Sequence, residues 1–103
     1  MKVKQEELEF EWDDGNLDKS YEKHGIGTEE AEEVFLDKNL GIVPDVKHSD
    51  AEIRLIALGK TKMGKDLFVV FTQRKGKIRI ISARGMHREE VLKYENAKKN
   101  TKV

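Results

Sequence analysis

Arg54, Lys60, Arg74, Arg79 and Arg84, with Thr72 and Ser82 between them, fall on three consecutive strand-forming runs. Guanidinium groups bind phosphate oxygens bidentately, and several on one sheet face could stabilise the extra negative charge of a phosphoryl group under attack. Residues two apart on a strand share a face, which groups Arg54 with Lys60, Thr72 with Arg74, and Ser82 with Arg84. Arg79 has the wrong parity and points to the other side unless a bulge intervenes. The natural partner of such a face is a polyanion, nucleic acid foremost.

Overall charge hides this. The 103 residues carry 20 Lys plus Arg against 20 Asp plus Glu, a formal net charge of zero. Residues 1–52 hold 16 acids and 6 bases, whereas residues 53–103 hold 4 acids and 14 bases, so the two parts carry −10 and +10. A charged sheet face is ordinarily just solvated. Here the clustering of arginine in the positive half, with few acids close in sequence, favours a ligand. Packing of the acids at 29–33 over the arginines would cancel that charge internally.

Other chemistries are excluded or unsupported. Gly59-Lys60-Thr61 has the ending of a phosphate-binding loop, but Arg54 stands where its first glycine belongs, and the triplet closes a strand instead of opening a helix. His24, His48 and His87 lie on separate segments without metal-ligand spacing, so no metal and no cofactor is expected. The absence of cysteine removes disulfides and thiol nucleophiles. No apolar run is long enough to span a bilayer and the first residues lack a signal-peptide core, so a cytoplasmic protein without a membrane partner is expected.

The elements that must position these residues follow from periodicity. One domain is expected over residues 1–103, since two at this length would bury too little. Leu8, Phe10 and Trp12 alternate with acids as in a half-buried strand. A helix is expected near 14–24, closed by Gly25, and a second over 29–37 with Thr28 as its N-cap and Ala31, Val34 and Phe35 on one face. A short strand over 40–43 ends at Pro44. The runs 52–61, 66–74 and 77–84 form a meander of hairpins, with the apolar LFVVF in mid-sheet, and a helix follows over 86–99. Residues 98–103 should fray. This is an α+β fold: an antiparallel sheet with two N-terminal helices and one C-terminal helix.

The order of short motifs resembles the BrnT toxin family over residues 8–95. Those motifs are Phe10-Glu11-Trp12-Asp13, Lys23-His24-Gly25, Glu30-Ala31, the Gly59-Lys60-Thr61 turn, Phe71-Thr72-Gln73-Arg74 and Arg79-Ile80-Ile81-Ser82-Ala83-Arg84, followed by Glu90 and Tyr94. The resemblance implies a RelE-like fold and a ribonuclease toxin of a type II toxin-antitoxin pair. Its partners would be RNA and a BrnA-like ribbon-helix-helix antitoxin, with operator DNA reached only through the antitoxin. Many members carry Lys and Asn within the first helix, where this chain reads Asp14-Gly15-Asn16-Leu17-Asp18-Lys19, so only Lys23, His24 and Gly25 are carried over from that region.

On this reading a 2′-hydroxyl attacks the adjacent phosphorus without a metal, which needs a base, cations for the phosphoryl oxygens and an acid for the leaving oxygen. His24, Arg54, Ser82, Arg84 and Tyr94 are the catalytic candidates. Arg54 and Arg84 would stabilise charge, and His24 would move protons, with Tyr94 or Lys23 as the other choices. Lys23, Lys60, Thr72, Arg74 and Arg79 would hold RNA. The rival is a noncatalytic module whose cationic face docks nucleic acid or an acidic protein; the face could also receive the antitoxin in competition with RNA.

Overall fold

The computed structural model describes residues 8–12, 24–48 and 52–100. Five strands make one sheet: β1 (Phe10–Trp12), β2 (Gly41–Pro44), β3 (Leu55–Lys60), β4 (Asp66–Arg74) and β5 (Lys77–Gly85). Two helices stand among the described residues, α1 (Thr28–Glu33) and α2 (Arg88–Asn100). Of the helix expected near 14–24, only its last residue, the helical His24, is described; the rest lies outside the described residues.

The strands run in the order β1-β5-β4-β3-β2, so the LFVVF run is indeed the central strand. From β2 to β5 neighbours are antiparallel, as a hairpin meander requires. The expectation of a purely antiparallel sheet is corrected by β1, which pairs parallel to β5, with Phe10 opposite Ile78 and Trp12 opposite Ile80. A parallel neighbour needs a long crossover connection, and here everything from β1 to β5 supplies it.

Turn chemistry sets the hairpins. Lys75 and Gly76 both have positive φ, 49° and 80°, and join β4 to β5 as a two-residue turn whose twist matches the strands. Between β3 and β4, Thr61 N–H donates to the Lys65 carbonyl and its hydroxyl accepts from Lys65 N–H. The triplet that imitates a phosphate-binding loop is thus the entry to a hairpin.

One sheet face buries the core. Ile26, Ala31 and Val34 pack on Ala57, Leu67, Val69, Phe71, Ile78, Ile80 and Ala83, and the Phe10, Phe35 and Phe71 rings stack in tilted and edge-on contacts of 5.5 and 5.0 Å. The second helix differs from expectation. It starts one residue earlier, with Gly27 in the N-cap position and the Glu30 carboxylate accepting from Gly27 N–H, and it tightens into a 3-10 turn over Val34–Leu36. That turn lies so near the sheet that a Cβ on Gly59 would meet Val34 Cγ1 at 2.8 Å and the Val34 carbonyl at 3.0 Å. Only glycine permits the approach.

The parity of β5 changes partway along. Val70 faces Ser82 while Phe71 faces Ile80, which leaves Ile81 as an extra residue. Ile78 and Ile80 fill the core before this bulge and Ala83 after it, so Arg79, opposite Thr72, looks away from the core just as Ser82 and Arg84 do. The parity objection to Arg79 is thereby removed.

The last helix continues to Asn100, beyond the point where fraying is expected to begin. Lys98 has partners there: its ammonium lies 3.8 Å from Glu95 and 5.6 Å from the centre of the Tyr94 ring.

Candidate functional site

The face away from the core carries a shallow cavity of about 380 Å³ lined by Asp45, Arg54, Ile56, Phe68, Val70, Ile81, Ser82 and Arg84. β3, β4 and β5 supply its floor, since Ile56 pairs with Val70, Val70 with Ser82, and Phe68 with Arg84. The aliphatic side chains lower the local dielectric around the polar groups of the cavity, which are two guanidiniums and a hydroxyl that would meet a phosphate and the Asp45 carboxylate.

Arg84 is the most constrained of these cations. Its Nη1 and Nη2 donate to the two carboxylate oxygens of Glu90 at 2.8 Å each, Nη1 also donates to the Gly85 carbonyl at 3.0 Å, and its carbon lies 3.7 Å from the centre of the Phe68 ring. Glu90 also accepts from His87 N–H at 2.7 Å, the reach-back that fixes a helix start. The Arg84 bonds, helped by that backbone bond, hold the Glu90 carboxyl below its usual range despite partial burial.

The other strand cations also meet carboxylates. Arg74 Nε and Nη2 both donate to Glu52 at 3.1 and 3.0 Å, Arg79 lies 3.8 Å from Glu11, and Lys60 Nζ lies 3.0 Å from Asp66. The Asp66 bond, opposed by partial burial, raises the Lys60 ammonium above its ordinary value. The positive half is therefore moderated by local counter-ions. It is not covered by the acids of 29–33: Glu30 pairs with Lys65 at 2.7 Å, Glu32 accepts from the Trp12 indole, and Glu33 accepts from Lys62 N–H.

Several expected site residues are placed elsewhere or otherwise engaged. Thr72 is 2% exposed and its hydroxyl donates to the Ile53 carbonyl at 2.8 Å, so it fastens the chain before β3 instead of facing a ligand. Tyr94 is 3% exposed, does not line the cavity, and donates its hydroxyl to Asp37 Oδ2 at 2.5 Å. Burial and the neighbouring Asp37 carboxylate push the Tyr94 phenol far above its ordinary pKa, which removes it as a base at neutral pH. His24 is exposed, just before the positive-φ Gly25 and the core residue Ile26, and does not line the cavity. Lys23 lies outside the described residues.

Sequence reasoning missed Asp37 and the role of Glu90. Asp37 accepts from Tyr94, from Lys60 N–H at 2.7 Å and from Asn39 N–H at 2.9 Å, tying the 3-10 turn, β3 and α2 together. Desolvation pushes its pKa up, but these bonds and the Lys98 charge outweigh that and leave it lowered. Nothing in an Asp at a helix exit marks it as a hub. The helix-start spacing His87-x-x-Glu90 was a usable signal for Glu90. Among the described residues, no three His, Asp or Glu side chains are grouped as a metal site would be.

The lowered carboxyls set an acid limit on the fold. Asp37, Glu90 and Glu30, the last lowered chiefly by its Lys65 bond, bind protons less readily folded than unfolded. Their stabilisation is complete above the ordinary carboxylate range and is lost as pH falls through the depressed folded values. The thermal midpoint should thus hold steady from pH 7 to about pH 5 and fall below that. A midpoint unchanged between pH 5 and pH 3 would contradict this.

A family model described as a ribonuclease toxin, BrnT, of type II toxin-antitoxin systems matches residues 12–90. Among solved structures, the chain is similar to the crystal structure of the Brucella abortus ribonuclease toxin BrnT. Their sequence identity is 23%, the match covers 79% of this chain and 99% of that one, and the TM-score is 0.62. At that identity the likeness concerns the fold. No curated protein matches the chain.

Proposed function

The chain belongs to the BrnT family of ribonuclease toxins of type II toxin-antitoxin systems, and from that premise we propose that its arginine-edged cavity cleaves RNA without a metal. The observation that supports this is the joint placement of Arg54, Ser82 and Arg84 around one cavity, away from the core. A phosphodiester laid across it has its nonbridging oxygens met by Arg54 and Arg84, with the Ser82 hydroxyl as a further donor. As the 2′-oxygen attacks phosphorus and the P–O5′ bond breaks, negative charge grows on those oxygens, and a cation already fixed in place, as Arg84 is, needs no reorganisation. The products are a 2′,3′-cyclic phosphate and a 5′-hydroxyl end.

Of the proton-transfer candidates, His24 is dropped because it does not line the cavity and Tyr94 because its proton is held by Asp37. Arg74, Arg79 and Lys60 extend the cationic track along the strands and guide the flanking backbone. Thr72 is dropped from RNA contact because its hydroxyl serves Ile53. Cleavage in the cytoplasm would arrest translation and growth, and a BrnA-like ribbon-helix-helix antitoxin would neutralise the toxin and bring it to operator DNA.

Purified, EDTA-treated protein incubated with RNA should generate new 5′-hydroxyl ends, mapped by ligation or primer extension. Binding to RNA without new ends would leave a noncatalytic docking module as the better description.

A further inference from the structure

An arginine has five N–H donors in one plane. In Arg84 three of them are engaged: one each from Nη1 and Nη2 with Glu90, and the second of Nη1 with the Gly85 carbonyl. The remaining two, Nε–H and the second Nη2–H, lie side by side and form the other edge on which a guanidinium receives a phosphate bidentately. The Phe68 ring, 3.7 Å from the guanidinium carbon, fixes the tilt of the plane. Three groups thus determine where that edge points: the Phe68 ring, which lines the cavity, and the Gly85 carbonyl and the Glu90 carboxylate, which do not.

We propose that Glu90 is a positioning residue for the reaction, one that acts through Arg84 by aiming its Nε/Nη2 edge at the phosphoryl oxygens. The inference rests on the ribonuclease reading of the cavity. Glu90 is suited to this because it is itself held: its side chain is 19% exposed and its carboxylate accepts from His87 N–H at the start of α2, so helix and strand are locked in one relative position. A short carboxylate on a mobile loop could pair with Arg84 equally well but could not aim it.

Glu90→Gln separates aiming from folding. Glutamine keeps a carbonyl oxygen for His87 N–H, as Gln serves in capping boxes, but its amide cannot accept both guanidinium bonds. The variant should fold, lower kcat for RNA cleavage by about 10- to 100-fold with KM changed far less, and leave the shape of the pH–rate profile intact. In an Arg84→Ala background the same change should cost nothing further, because its effect passes through Arg84. In nitrogen-15 spectra of the resting protein, the Arg84 Nε–H signal should shift and broaden in Glu90→Gln.

Three results would overturn the proposal. Faster cleavage by Glu90→Gln would make Glu90 a mask over Arg84. Loss of the acid limb of the pH profile, with a further rate loss in the Arg84→Ala background, would make it the base. An unchanged rate and an unchanged Arg84 signal would make it only a helix cap. If the wild-type protein cuts no RNA, the ribonuclease reading fails, while the Arg84 signal still reports whether Glu90 fixes the guanidinium.

Discussion

Replacing Arg84 by alanine should lower the rate of RNA cleavage by about 100- to 1,000-fold, the range found when one preorganised donor to a developing oxyanion is removed. The expectation is larger for Arg84 than for Arg74 or Arg79. Arg74 is half exposed, pairs with Glu52 and does not line the cavity, and Arg79 lies against Glu11, whereas Arg84 both lines the cavity and is fixed by Glu90, Gly85 and the Phe68 ring. A pre-aimed cation contributes to the transition state without an ordering cost at the moment of reaction. The fold should survive, because Arg84 faces away from the Ile78, Ile80 and Ala83 side of β5. Initial rates on RNA in EDTA-treated buffer, with circular dichroism as the folding control, decide the matter. Undiminished cleavage by a folded Arg84→Ala protein would remove Arg84 from the mechanism.

Asp37→Ala should have the opposite character, damaging stability before chemistry. Asp37 receives the Tyr94 hydroxyl, the Lys60 N–H and the Asn39 N–H, and the first two donors are partly or wholly withdrawn from water. Removing their acceptor leaves both unsatisfied, at a cost of about 2 to 4 kcal/mol in total. For a domain of this size that lowers the thermal midpoint by about 10 °C or more. Asp37→Asn should lose less, since an amide oxygen still accepts, though as a weaker, uncharged partner. Chemical denaturation of the three proteins gives the comparison directly; an Asp37→Ala midpoint equal to wild type would show that the hub contributes nothing. The two variants thus separate roles: Arg84→Ala should be folded but slow, and Asp37→Ala unstable but active at low temperature.

What could be read from sequence follows the range of the forces involved. Alternation in β1, the apolar LFVVF run, the Lys75-Gly76 turn and the stripe of Ala31 and Val34 are local signals, and each became the expected kind of element. Long-range partners were not legible. Thr72 and Tyr94 look like surface donors until Ile53 and Asp37 arrive from 19 and 57 residues away to take their hydroxyl protons. The same is true of charge: Glu11 reaches Arg79 only because β1 lies beside β5. Parity counting sorted Ser82 with Arg84 correctly and misplaced Arg79, since one added residue at Ile81 resets the count and no residue type there announces it.

The parallel strand at the sheet edge has a kinetic meaning. Phe10 and Ile78 are partners across a gap of 68 residues, whereas each hairpin of the meander closes over a few. Closure entropy rises with the length of the loop, so the hairpins can assemble early and the β1 pairing belongs to the late part of folding. β1 precedes the meander in the chain and must wait for β5 before it has its partner. Until then Arg79 lacks the carboxylate of Glu11, and the nascent chain exposes the flank of β5 that the finished molecule covers.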